Sequence, residues 1–350
     1  MFTGLSLQAT RAQNAVAEQG QFTDRFTKAV DQLDRTGPEH LQARLGAIYA
    51  LDRLARDSSR DHPTTVEILS AFIRTTGGRP AFTSGRFVRA GLCANQSVAP
   101  DVQATLTVLG RRDATRDQGT VINLSGTCLG GAALTDADLG RANLGGANFA
   151  ESNLGSATLT DANLAGANLT KATLAGANLT GVDLTTADLT EANLGGATLA
   201  EANLDNATLT GAYLRQADLG GATLTEADLL GAHLTYANLD NANLANADLA
   251  QADLTDANLN GADLAYANLD YADLAYADLG YAYLIDADFT GAYLAGSNLT
   301  GAYLADSNLT GAYLAGANLT GADLTGARHD ENTIVTGAVV DERTKGAWWR

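Results

Sequence analysis

Residues 157–181 read ATLTD ANLAG ANLTK ATLAG ANLTG, five consecutive copies of one five-residue pattern. Leu159, Leu164, Leu169, Leu174 and Leu179 stand at the centre of each block, and two residues before each stands Ala. Working outward, the leucine ladder runs without slip from Leu124 to Leu324, with Phe149 and Phe289 as its two substitutes. The small position departs from Ala only at Ile122, Thr127, Ser152, Val182, Ser297 and Ser307. A period of five matches neither the helical 3.6 nor the strand's 2. A chain that turns a corner every five residues satisfies it, with Leu and Ala pointing inward and the other three positions outward. Ala suits the second inward position because four sides share a narrow interior that larger groups would overpack. Stacked coils pair their backbones at strand spacing, and no block buries its Leu alone, so stability is a nearest-neighbour sum along a rod. Leu124, Phe149, Leu204, Leu264, Phe289 and Leu324 are representative core residues.

The flanks have a different texture. Residues 1–113 carry helical spacing. Ala9 to about Leu33 reads as a weakly amphipathic helix, broken at Gly37-Pro38. A second helix, Glu39 to Arg56, places Leu41, Leu45, Ile48, Leu51, Leu54 and Ala55 on one face and offers an outer i,i+4 pair, Asp52–Arg56. A third runs from Asp61 through Thr75 with Val66, Leu69 and Ile73 inward and Asp61 or Thr64 as caps. Residues 81–98 read as loop or short helix, and Asp101 to Arg112 as a last helix with Val102, Leu106 and Leu109 inward. Antiparallel helices of this length predict an all-α, HEAT-like domain. Residues 114–121 read as a linker, 122–328 as the solenoid and 329–350 as a C-terminal cap or tail. There the ladder decays through Ile334 and Val339 to Trp348-Trp349, the candidates for capping the open end or for a homodimer contact. Val121 and Ile122 are expected to meet the helices, which would cap the other end.

The A(D/N)LXX pattern, as in AlaAsnLeuThrGly and AlaAspLeuThrGlu, resembles that of the pentapeptide-repeat family over about 205 residues. The resemblance implies a mainly β fold, a right-handed quadrilateral β-helix with four pentapeptides per coil, about ten coils here. The stretches GQFTDRFTKAVDQL and RLGAIYALDRLARDSSRDHP are similar to the helical segment that precedes the repeat in many bacterial members.

The formal charge of −18 is unevenly placed: residues 121–328 carry −20 and the remainder +2. An acidic rod argues against direct nucleic-acid binding, because phosphate contacts need Lys and Arg. Taking residues twenty apart as stacked neighbours, the four sides carry −7, −6, −3 and −5 over residues 122–326, with Arg328 outside them. Candidate partner contacts are Asp183, Asp205, Glu226 and Asp263 on the first side and Asp188, Glu191, Asp228 and Asp248 on the second. Tyr213, Tyr293 and Tyr313 share a row with His233, Asp253 and Asp273 on the third, and Tyr283 stands over Tyr303 on the first. Tyr266, Tyr271, Tyr276 and Tyr281 step round one coil. Exposed aromatics are enriched at protein interfaces.

No nucleophile–base pair, phosphate loop or metal motif appears, so no enzyme activity, cofactor or metal is expected. The stacked Asp253–Asp273 and Asp228–Asp248 pairs lack the carbonyl-rich loop of a calcium site. Cys93 and Cys128 form neither a disulfide framework nor a zinc motif. With MFTGLSLQATRAQ too polar for a signal peptide or membrane span, they predict a reduced, cytoplasmic setting. The expected function is a non-catalytic protein-interaction scaffold with a protein partner. The alternative is DNA mimicry. At about one net negative charge per 2.5 Å against ~1.7 Å for duplex DNA, the rod is similar to the quinolone-resistance members that bind DNA gyrase, a type II topoisomerase.

Overall fold

The computed structural model of the chain describes residues 20, 23–76, 93 and 98–349. Residues 23–33 form α1, and Gly37, at φ 94°, turns the chain into a 3-10 turn at Pro38–His40. Helices α2 (Leu41–Asp57), α3 (His62–Thr76) and α4 (Pro100–Gly110) follow, then a 3-10 turn at Ala114–Arg116 inside the expected linker. The apolar spacing is used as it reads. Ile48, Leu51 and Leu54 of α2, Val66, Leu69 and Ile73 of α3, and Val102, Leu106 and Leu109 of α4 are buried where the three helices pack together. Residues 9–19 of the expected first helix and most of 81–98 lie outside the described residues.

One helical expectation is corrected. Asp52 is not on an outer face but buried, pairing with Arg56 and, at 2.6 Å, with Arg111 just beyond α4. It sits at the edge of the apolar stripe, where the residue that caps the C-terminus of α4 supplies the second guanidinium.

From residue 122 the chain winds. Backbone bridges join each outward residue to the one twenty positions on, from Asn123↔Asn143 through Asn308↔Arg328, so four pentapeptides complete a coil. Leu124 donates its N–H to Asn143 O, and Asn143 donates to Ile122 O, each at 2.8 Å; the same two bonds recur down the rod. Each corner is a β-turn in which Leu129 O, for instance, accepts from Ala132 N. Every fifth residue from Gly126 to Gly326 has positive φ, as the third residue of a type II turn requires. The ladder leucines and both phenylalanines are buried, as are the small residues beside them.

The helices seal the first coil. Its outward residues have no preceding coil to receive their N–H and C=O groups. Arg74 donates to Asn123 O (2.7 Å), and the Gln103 amide takes both Ala133 groups, accepting from N (2.9 Å) and donating to O (2.8 Å). Gly110 O accepts from Asp138 N (2.7 Å), and Arg112 donates to Asp138 O (2.6 Å). On the remaining side Cys128 is joined to Cys93 in a disulfide, which corrects the reading of two unpaired thiols. A spacing of 35 residues carries no pairing signal, because the contact depends on how the helical domain docks. The pairing also removes the basis for expecting a reducing compartment. Arg112 is held by Asp117 (2.7 Å), whose other oxygen lies 2.9 Å from His62 Nε2, and all three side chains are buried. Ile122 is buried at this joint, whereas Val121, expected beside it, is exposed.

At the far end residues 329–349 extend the rod. Tyr313↔Ile334, Asn318↔Val339 and Asp323↔Lys345 span 21 or 22 residues, so two corners hold one extra residue each. The extra residues lie in the turns Asp330-Glu331-Asn332-Thr333 and Asp341-Glu342-Arg343-Thr344. In each turn the Asp carboxylate accepts the N–H of Gly311 or Gly321 (2.9 Å), and the Thr hydroxyl donates to Leu309 O or Leu319 O. Ile334 and Val339 take the outward places bridged to Tyr313 and Asn318. The insertions shift the register by one, so Val335 and Val340 pack on the core while Ile334 and Val339 face outward, exposed. Trp348 and Trp349 also pack against the core, and Trp348 stacks on His329 at 4.0 Å.

Candidate functional site

At most blocks the outward residue before the Leu is Asn or Asp, and for a local reason. Its Oδ1 accepts the N–H two residues on, and where that residue is Thr the hydroxyl as well, which fixes the corner. Several sequence-predicted contacts are engaged in this way. Asp183 and Asp188 take the N–H (3.0 Å) and hydroxyl (2.6 Å) of Thr185 and Thr190. Asp228 takes Leu230 N and the Thr210 hydroxyl; Asp248 takes Ala250 N and Asn268 Nδ2. Asp205 accepts Thr225 N of the next coil, and Glu191 pairs with Lys171 at 3.4 Å. Asp263 uses Oδ1 on Ala265 N, which leaves its second oxygen without a partner among the described residues; Glu226 stands exposed at a corner. Much of the acidity therefore builds turns. In the third row, burial raises the pKa of Asp253, but the Thr255 hydroxyl and N–H, with the Thr235 hydroxyl, outweigh it and hold the carboxyl below its usual range.

The tyrosines behave differently. The pairs the rows predict are stacked: Tyr283–Tyr303 at 5.0 Å, Tyr293–Tyr313 at 4.8 Å and Tyr213–His233 at 4.9 Å, all nearly parallel. The ladder spacing of coils sets these distances. The corner tyrosines Tyr266, Tyr271, Tyr276 and Tyr281 are 60, 64, 68 and 59% exposed. Tyr271, Tyr276 and Tyr281 lie over Gly291, Gly296 and Gly301 of the next coil, where an added Cβ would come within 2.7 Å of the ring. That tyrosine-over-glycine pairing is a signal present in the sequence at a spacing of twenty. Less legible is Arg215, whose guanidinium stands 5.9 Å over the Tyr236 ring. Among the described residues, no cluster of three His, Cys, Asp or Glu side chains is placed to hold a metal ion. None of the described helices is long and apolar enough to cross a membrane.

A family model for pentapeptide repeats matches residues 122–155, 147–185, 187–225, 212–251, 267–304 and 287–326, more than half of the chain. The chain belongs to the pentapeptide-repeat family. Among solved structures it is similar to HetL, a pentapeptide repeat protein involved in heterocyst differentiation regulation from the cyanobacterium Nostoc sp. strain PCC 7120. Identity is 38%, over 62% of this chain and 86% of that one, with a TM-score of 0.34. The pentapeptide repeat protein Rfr23 from the cyanobacterium Cyanothece 51142 is 43% identical over 27% of this chain and 63% of its own, TM-score 0.26. QnrB1, a plasmid-mediated fluoroquinolone resistance protein, is 18% identical over 51% and 91%, TM-score 0.36. No curated protein matches the chain.

Proposed function

We propose that this chain is a non-catalytic protein-interaction scaffold: an acidic rod of about ten right-handed coils, roughly 50 Å long, capped by a HEAT-like helical domain. The observation that carries this reading is the concentration of exposed tyrosines between Tyr266 and Tyr303, on a rod whose other outward positions are mostly Thr, Asn, Asp and Gly. Aromatic rings left in water at fixed spacing fit a surface that a protein partner covers. A photo-crosslinking residue placed at Tyr293, with Glu151 as the control site, tests it in cells. The expected result is a protein adduct at position 293 and none at 151; no adduct at either site overturns the reading.

The charge of the rod favours a second reading, occupation of a basic DNA-binding surface such as that of DNA gyrase. Supercoiling by gyrase, measured with and without the purified protein, decides it. Unchanged supercoiling together with no protection from a quinolone removes this alternative.

A further inference from the structure

In a four-sided coil a shift of ten residues is a half-turn about the rod plus half a coil of rise, about 2.4 Å. Asp263, Tyr266, Tyr283 and Tyr303 map by that shift onto Asp273, Tyr276, Tyr293 and Tyr313. The two sets occupy opposite faces. In each, backbone bridges join the Asp to the first stacked tyrosine and that tyrosine to the second: Asp263↔Tyr283↔Tyr303 on one face and Asp273↔Tyr293↔Tyr313 on the other. Each Asp uses Oδ1 on its own turn, accepting from Ala265 N or Ala275 N at 3.0 Å, and leaves Oδ2 without a partner among the described residues. The third tyrosine of each set stands at the adjoining corner, highly exposed.

Resting on the scaffold reading above, we infer that these are two equivalent sites for arginine side chains of a basic partner, one on each face of the rod. A planar guanidinium laid on the ring beside the Asp, Tyr283 or Tyr293, continues the ladder at the same spacing. It then meets the open carboxylate oxygen of the Asp in the neighbouring coil. The chain already makes the ring half of this contact with its own Arg215 on Tyr236. The surrounding charge has the matching sign: the rod is net −20 over residues 121–328. A lysine ammonium matches the charge but not the plane, so arginine is the preferred side chain. Because the faces point in opposite directions, one rod holds two basic segments.

Isothermal titration of the full chain with a short synthetic peptide of alternating Arg and Gly tests the inference. Two peptides per chain are expected, with weaker binding of the Lys–Gly analogue. The double variant Tyr283→Ala/Tyr303→Ala is expected to reduce the stoichiometry to one, as is Tyr293→Ala/Tyr313→Ala. The corresponding Phe variants keep both sites, which separates ring loss from damage to the fold. Asp263→Asn together with Asp273→Asn weakens binding by roughly tenfold. Binding that is unchanged in both Ala variants is charge attraction alone and overturns the two-site inference while leaving the scaffold reading intact. A single site, or no binding, also overturns it; the scaffold reading then stands or falls on the crosslinking result.

Discussion

Ser152 and Ser307 stand at the inward position that alanine fills elsewhere, and their hydroxyls are buried without a hydrogen-bond partner. Thr127 and Ser297, at the same position, donate to Leu124 O and Leu294 O. An unsatisfied buried hydroxyl costs on the order of 1–3 kcal/mol, and alanine fits a place where its neighbours are alanine. Ser152→Ala and Ser307→Ala are each expected to stabilise the fold by about 1 kcal/mol, read as a higher urea midpoint at constant slope. Ser297→Ala, which gives up a made bond, is expected to gain less. The sequence shows that a small residue belongs at all these sites. It does not show which hydroxyl finds its carbonyl: LAGSN and LADSN read alike, yet only the first is satisfied.

At the scale of elements the two ends of the rod obey different rules from its middle. The first coil is closed by groups whose positions depend on how α4 docks, and no periodicity announces that Gln103 will pair with Ala133 or Gly110 with Asp138. Gly110 itself is constrained, since a Cβ there would stand 2.8 Å from that of Ala137. The buried Asp117 ties Arg112 and His62 at this joint. Removing one partner of a buried charged group typically costs about 3–5 kcal/mol. Asp117→Ala is expected to lower stability by that order, measured by denaturant unfolding. At the other end, hydrogen bonds from Arg343, Gly321 N and Thr344 outweigh burial and lower the Asp341 pKa from 3.8 to about 2. A carboxylate whose pKa falls on folding contributes stability above its unfolded value and loses it as pH drops through the folded one. The last coil is therefore expected to loosen between pH 3.8 and about 2. Trp348 and Trp349, the chain's two tryptophans, report this by fluorescence. Asp341→Asn should loosen the coil at neutral pH and weaken the transition, of which the lowered Asp323 and Asp330 carry the rest. The doubled Asp-Glu-x-Thr is visible in the sequence, but its effect on register is not, because Ile334 and Val335 are equally apolar and only the extra corner residue decides which points inward.

Across the whole molecule, legibility follows repetition. Where each residue's neighbours are the residues twenty before and twenty after, as from Asn123 to Arg328, the pattern dictates side, depth and stacking partner. The Tyr283–Tyr303 and Tyr293–Tyr313 stacks follow from counting alone. The outward carboxylates are ambiguous in sequence because one residue type answers two demands, and Asp183 and Asp188 serve their own corners. The Cys93–Cys128 link and the burial of Asp52 lie beyond any repeat.

The corner at every fifth residue makes the rod an indexing device. Removing one pentapeptide from its middle leaves every leucine in a leucine's place but turns everything downstream by a quarter revolution relative to the helices. Removing four restores the original bearing on a shorter shaft. Evolution by unequal duplication thus has two separate dials, one for how far the tyrosine faces stand from the helical head and one for the compass direction in which they look.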